Sequence, residues 1–359
     1  MRTAPSPLRL AIIGCGLVVE QCHLPALGKI AGLKLVALAD PDLERLTRIA
    51  DRAGVRGRHT DYRALLDDSS IDLVAVCAPP QLHAEIGSAV LDAGKHLFLE
   101  KPLALSLHDA DRLVKRAAGA GAQALIGFNF RSHRLIRQAR AIIEGGGLGP
   151  LATMHTTFAS ASTFQRQDSA WRQRQDFGGV LVDLGIHHFD LWRFLTRSEV
   201  AEVVVHRRTD GPGYERVTVN AAMADGVLVT SSFSHGVSDT NELEICGAKA
   251  RLRLSCYRFD SLRVSENGAP HGAVRHWPGD AARGLRNVPQ AIVRLLYGSD
   301  ITDSYRTQWQ SFVEAIQNNI PIKPRLEDGR SALQIALAAA QSARSGRSVR
   351  VDEATDRFI

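Results

Sequence analysis

Residues 8–40 read LRLAIIGCGLVVEQCHLPALGKIAGLKLVALAD, and this stretch decides the fold. A short apolar run, Leu8–Ile13, breaks at Gly14-Cys15-Gly16. A second run, Lys34–Ala39, follows after a helix-compatible segment and ends on Asp40. Strand, glycine turn, helix and strand in that order open a doubly wound dinucleotide-binding unit. Gly14 permits the tight turn, and Gly16, lacking a Cβ, lets backbone N–H groups approach a pyrophosphate. Cys15, Leu17 and Val18 complete the loop such a phosphate would touch. The third position of the G-x-G-x-x-G pattern is Val19, whose bulk predicts looser packing of helix on strand. A carboxylate at Asp40 would accept hydrogen bonds from the adenosine ribose and repel a 2′-phosphate, which favours NAD over NADP. The blander alternative is a structural turn at the glycines and a strand-end cap at Asp40.

Beyond this unit the same texture continues. Leu73–Cys77, His96–Leu99 and Ala124–Gly127 read as strands, and the near-continuous apolar LVAVC and HLFL suit strands buried on both faces. Between them, Leu82, Ile86, Ala89, Val90 and Ala93 recur at helical spacing, as do Leu107, Ala110, Leu113, Val114 and Ala117. After Phe128 the pattern changes. A helix over Ser132–Glu144 stops at Gly145-Gly146-Gly147, and strand character follows at Glu202–His206, Val217–Met223, Val227–Ser234, Glu242–Cys246 and Arg251–Leu254. In RLRL the leucines and arginines take opposite faces, the period of a half-solvated antiparallel sheet. Glu266–Arg286 has no sustained periodicity and reads as a long excursion. Two helices close the chain, one carrying Tyr305, Trp309, Phe312, Val313 and Ile316, the other running from Gly329 to Ala343. The expected fold class is α/β: a Rossmann domain over 1–127, then an α+β domain with an open, mostly antiparallel sheet over 128–359, whose terminal helices can return to the first domain.

Composition bounds the function. At 359 residues one undivided core is unusual, and 45% hydrophobic with 23% charged residues is ordinary for a globular chain. The net charge of +6 comes from scattered arginines, so nucleic acid is not an expected partner, whereas a small anionic ligand is compatible. Cys15, Cys22, Cys77, Cys246 and Cys256 form an odd set without a C-x-x-C pair, which argues against disulfides and zinc and for a reducing cytoplasm. Leu8–Val19 is interrupted by Arg9, Gly14 and Gly16, so it makes a poor signal segment, and no membrane span is expected.

GCG, HLPAL (His23–Leu27), Asp40, APPQLH (Ala78–His83), AGKHLFLEKPLA (Ala93–Ala104), GFNFR (Gly127–Arg131), AWR (Ala170–Arg172), GGVLVDLGIHHFD (Gly178–Asp190) and a late EDGRSALQIALAA run together resemble the glucose-fructose oxidoreductase, inositol dehydrogenase and MocA family. The resemblance spans nearly the whole chain, least over 266–302. It implies a nicotinamide cofactor and a sugar, cyclic polyol or nucleotide-sugar substrate meeting between the two domains, and a homodimer or homotetramer. It marks Lys101, Pro102, Asp183 and His187 as the active-site set. It also implies cofactor contacts from Ala78, Pro79, His83, Glu100, Lys101, Pro102 and Asn129, and a substrate pocket including Arg131, Trp171 and Arg172.

The chemistry of these residues agrees with that expectation. Oxidising a secondary alcohol needs a base for the hydroxyl proton, a cation beside the developing alkoxide, and a hydride acceptor. Lys101 follows a strand at its C-terminal end, where open α/β sheets bind ligands. Asp183 and His187 are four residues apart, so on a helix they share one face. His187 is the expected base, Lys101 the polariser of the oxygen, and Asp183 the acceptor for a substrate hydroxyl; His188 is expected to be structural. A metal site at these histidines lacks supporting ligands, and none is expected. Two other functions use the same cleft: an NAD-tethered glycoside hydrolase working by transient oxidation, and a non-catalytic dinucleotide sensor.

Overall fold

Leu8–Ile13 forms β1 at the centre of a six-stranded sheet ordered β3-β2-β1-β4-β5-β6. The other strands are β2 Leu33–Ala39, β3 Gly57–His59, β4 Leu73–Val76, β5 His96–Leu99 and β6 Ala124–Ile126, and every pairing is parallel. The computed structural model describes residues 6–28, 30–161, 177–209, 215–268 and 299–358. β4 is buried throughout, as its unbroken apolar sequence requires. Strand order reverses between β1 and β4, which opens a crevice at their C-terminal ends.

The second sheet has eight strands in the order β13-β12-β11-β7-β10-β9-β8-β14. They are β7 Leu151–Ser160, β8 Val200–Thr209, β9 Glu215–Met223, β10 Leu228–His235, β11 Thr240–Gly247, β12 Ala250–Ser255, β13 Arg263–Glu266 and β14 Val349–Arg350. All pairings are antiparallel except β7 with β10. Alternating burial along β9 and β12 shows one face covered and the other open. Helices Ile186–Thr196 and Leu326–Ser345 belong to the covered side, where Trp192, Phe189, Leu333 and Leu337 are fully buried with Val203, Val219 and Phe233 of the strands.

Helix Asp300–Asn318 returns to the first sheet. Trp309 stacks on Phe98 of β5 with centroids 4.3 Å apart, and Phe312 fills the space beside them. Burying these rings joins the end of the chain to its beginning.

Four strands were not legible as such: β3, β7, β13 and β14. β7 is the most consequential, because it is central to the second sheet; its inward positions include Thr156 as well as Met154 and Phe158, which breaks the apolar alternation. The excursion expected from Glu266 falls largely outside the described residues. Its start, Glu266, ends β13; beyond the undescribed residues a helix begins at Asp300, with Ser299 capping it by accepting from Thr302 N. At the third glycine position, Val19 is fully buried and begins a π turn, Val19–His23, before the short helix Leu24–Leu27.

Candidate active site

A cleft of roughly 320 Å³ lies at the C-terminal ends of β1 and β4 and runs to the second sheet. Gly14, Gly16, Leu17, Val18, Asp40 and Arg45 line one end; Lys101, Asp183, His187, Phe158, Ser160 and Tyr305 line the other. Its size suits a small-molecule site.

The glycine loop fits a dinucleotide. Gly14 has φ +93°, and a Cβ there would fall 2.6 Å from Cys77 O, so no other residue can hold this turn against β4. At Gly16 a Cβ would meet nothing within 4 Å, leaving that wall open for a phosphate to approach the backbone. Cys15 adds only its backbone: its N–H donates to Asp40 Oδ2 at 2.8 Å, while its thiol is buried. Asp40 Oδ1 accepts from Asp42 N at 2.9 Å, so the carboxylate is fixed with an edge on the cleft. The nearest cation, Arg45, is held by Asp42 at 3.0 Å and lies 3.6 Å from Asp40. That pairing occupies the guanidinium that a 2′-phosphate would need, and it favours NAD.

Lys101 follows β5. Its ammonium donates to the main-chain carbonyl of Asp183 at 2.7 Å and lies 3.6 Å from Asp183 Oδ1. Asp183 sits in a π turn, Leu181–Gly185, that leads into helix Ile186–Thr196; such wide turns are frequent at functional sites. His187 is one turn further along, its ring edge-on to Phe130 at 5.0 Å and close to Phe128 and Phe158. Asp183 and His187 therefore share one face, as the four-residue spacing predicts, and Lys101 meets them from the first sheet. The preceding turn depends on glycine. Gly179 has φ +54°, and a Cβ would collide with Glu215, whose carboxylate accepts from Val180 N at 2.9 Å.

Glu100 holds Lys101 from behind. Its Oε2 accepts from Lys101 N at 3.2 Å, and its Oε1 lies 3.0 Å from His23 Nε2. Trp309 Nε1, which can only donate, is 3.0 Å from His23 Nδ1. The ring must accept there, so His23 carries its proton on Nε2 and gives it to Glu100. A chain of buried bonds thus runs from the last third of the sequence to the lysine.

Other expected residues fall differently. Ala78 and Pro79 line the cleft. His83 lines it too, yet its ring nitrogens face Pro102 O at 2.6 Å and Ala78 O at 2.8 Å. Burial pushes its pKa down, so a neutral ring donates to one of two carbonyls and ties these loops together. Pro102 presents its carbonyl to His83 and not to the cleft. Asn129 is turned away, its amide donating to Ser304 Oγ at 3.0 Å. Arg131 is also turned away. It forms a two-pronged pair with Asp190, at 2.8 and 2.5 Å, reaches Asp328 at 3.0 Å and covers the Phe194 ring. Its planar donors are used inside a structural cluster, which corrects the expectation of a substrate contact. Trp171 and Arg172 lie outside the described residues.

His188 is buried beneath the site. Its ring meets Thr156 Oγ1 at 2.8 Å and Asn241 Oδ1 at 3.1 Å, and loss of water pushes its pKa down to about 4. It is a neutral core group, as expected. Sequence reasoning assigned no site role to His23 or Tyr305, and none to His235, whose Nε2 lies 3.1 Å from Asp183 Oδ2. No spacing rule relates His235 to Asp183; only the neighbourhood of β10 and the π turn does. All five cysteines are free thiols. Among the described residues no helix is long and apolar enough to cross a membrane.

A Rossmann sheet with this loop, joined to a cleft bearing a lysine, a carboxylate and a histidine, defines a dinucleotide-dependent oxidoreductase. The chain belongs to the Gfo/Idh/MocA oxidoreductase family: residues 8–128 match its NAD-binding Rossmann fold and residues 140–351 its C-terminal alpha/beta domain. It is 27% identical over 351 residues to a myo-inositol 2-dehydrogenase of Thermotoga maritima, covering 96% of this chain and 99% of that protein. A D-apiose dehydrogenase of Paraburkholderia graminis is 26% identical over 354 residues, 94% of this chain and 88% of that one. A levoglucosan dehydrogenase solved with NADH and levoglucosan superposes with a TM-score of 0.83 at 21% identity, covering 96% of this chain and all (100%) of that chain.

Proposed function

We propose that this protein is an NAD-dependent dehydrogenase acting on a secondary hydroxyl of a sugar or cyclic polyol, or on the corresponding ketone in reverse. The observation that carries this reading is the meeting of Lys101, Asp183 and His187 at one end of a cleft whose other end holds Gly14, Gly16 and Asp40. Inositol, apiose and levoglucosan dehydrogenases among the related proteins support a polyhydroxylated substrate.

NAD, when bound, supplies the hydride acceptor. The protein supplies the rest. Lys101, fixed by its bond to the Asp183 carbonyl, places a positive charge where the substrate oxygen becomes an alkoxide. His187 accepts the hydroxyl proton, and its three aromatic neighbours keep water from that side of the ring. Asp183 accepts a hydrogen bond from a second substrate hydroxyl and so selects a polyol over a simple alcohol. Pro79 and Glu100 line the cleft and would help to hold the nicotinamide end of the cofactor. The open face of the second sheet, with exposed Glu242, Arg253 and Thr230, is the self-association surface of this reading. Light scattering after size exclusion tests it: a homodimer or homotetramer is expected, and a monomer at micromolar concentration contradicts it.

The catalytic reading is tested by incubating the enzyme with NAD and a panel of inositols, pentoses and anhydrohexoses. Net formation of reduced cofactor with at least one polyol is expected. Release of an aglycone from glycosides without net reduction would transfer the cleft to hydrolysis, and binding of NAD without any turnover would make it a sensor.

A further inference from the structure

His235 ends β10 on the cleft side, 1% exposed. Its Nε2 lies 3.1 Å from Asp183 Oδ2, while the other carboxylate oxygen faces Lys101 at 3.6 Å. An ionised carboxylate only accepts, so the proton of this contact sits on Nε2 of His235. The main chain of Asp183 is already fixed, because its carbonyl accepts from Lys101. What remains to be set is the rotation of the carboxylate, a broad torsion with no sharp intrinsic preference. The ammonium at 3.6 Å is too long a contact to set it by hydrogen-bond geometry. His235 provides the shorter, charge-assisted contact.

The backbone that carries His235 is well anchored. β10 runs parallel to β7, with His235 in register with Ser160, and Gly236 N donates to Ser160 O at 2.9 Å. Two residues earlier, Phe233 is fully buried against His188 and Phe189. His188 makes the useful contrast: it is as buried, but its polar partners, Thr156 and Asn241, do not line the cleft.

We propose that His235 is a positioning residue for the reaction: by donating from Nε2 it fixes the Asp183 carboxylate so that one oxygen meets Lys101 and the substrate-facing edge is held in place. This rests on the dehydrogenase reading given above. The role is carried out entirely through Asp183.

Three variants test it. In glutamine the amide nitrogen can take the place of Nε2, in asparagine it falls about one bond short, and leucine removes the donor. His235→Leu and His235→Asn are expected to lose on the order of 10- to 100-fold in kcat, the size of a misplacement near 1 Å. NADH affinity should stay within about threefold, since the glycine loop is remote, and His235→Gln should recover most of the lost rate. Wild-type kcat in the asparagine and leucine variants would overturn the proposal. So would a parallel fall of kcat, NADH affinity and Tm in all three, because that pattern is a structural role. Crystals of His235→Asn with NAD decide the same point without a substrate: a rotated Asp183 carboxylate is expected, and an unmoved one overturns the proposal. If the wild type reduces NAD with no polyol, the dehydrogenase reading fails while the crystals still judge His235.

Discussion

The ammonium of Lys101 donates to the main-chain carbonyl of Asp183 at 2.7 Å, so the strand-end lysine of one sheet is bolted to the π turn that precedes the helix of the other. The bond aligns the two halves of the cleft and leaves the carboxylate of the same aspartate 3.6 Å from the cation. In the proposed reaction each residue is therefore both structural and chemical.

Removing the cation separates these duties. Lys101→Met keeps the length of the side chain but neither charge nor donor. A fall in kcat on the order of 10²- to 10³-fold is expected, the usual loss for one electrostatic stabiliser of an oxyanion. NADH titration by fluorescence should give a dissociation constant close to that of the wild type. A variant that keeps its kcat would remove Lys101 from the chemistry.

Arg131 gives the opposite pattern. Its side chain is 10% exposed and its partner Asp190 only 1%. Arg131→Ala leaves a buried carboxylate unpaired, which costs about 3–5 kcal/mol. A large drop in urea midpoint with an unchanged KM for substrate is expected. A raised KM in a protein of undiminished stability would return this arginine to the substrate pocket.

Much of the fold was legible because it rests on local patterns. Leu8–Ile13 and His96–Leu99 were located to the residue, since their largely apolar runs stop at a glycine turn and at Glu100. Asp183 and His187 were marked by the family resemblance, and their four-residue spacing put them on one face. The links from β10 to Asp183, and from Trp309 through His23 to Glu100, were not, because they join residues far apart in sequence that only the assembled tertiary structure brings together. Arg131 and Asn129 misled for a related reason: a motif shows that a polar residue is present, not which way it turns. β7 stayed hidden because Thr156 faces inward to bond His188.

Trp309 links helix Asp300–Asn318 to Lys101 through His23 and Glu100. Trp309→Phe keeps a ring against Phe98 but removes the N–H that fixes the His23 tautomer. A loss of about 1–3 kcal/mol from the unsatisfied buried nitrogen is expected, measured by denaturant unfolding. A variant as stable as the wild type would show that the bond does not hold this chain of contacts together.

Acid stability reports on His188. Its ordinary pKa is 6.5 and burial lowers it to about 4 in the folded protein. Between these values the unfolded chain binds the proton and the folded protein does not. This contribution to stability is therefore present in full above pH 6.5 and is lost as pH falls toward 4, about 3 kcal/mol in all. His188→Gln cannot titrate and should flatten that limb of the stability curve relative to its own neutral value. An acid limb of unchanged steepness would mean that other groups carry it.

In the proposed reading Asp40 sets the choice of nucleotide. Asp40→Ser removes the charge that repels a 2′-phosphate and frees Arg45 from one of its two acids. The ratio of kcat/KM for NAD over NADP should fall by about tenfold or more. An unchanged ratio would place the discrimination elsewhere.

The most direct test of the whole account follows hydride and proton together. A polyol identified from the panel is deuterated at its carbinol carbon and turned over with NAD by the wild type and by Lys101→Met and His187→Ala. One reduced cofactor is expected per ketone formed, with a slower single-turnover rate for the deuterated substrate and a loss on the order of 10²-fold or more in each variant. Ketone formed without reduced cofactor, or variants that transfer hydride as fast as the wild type, would contradict it.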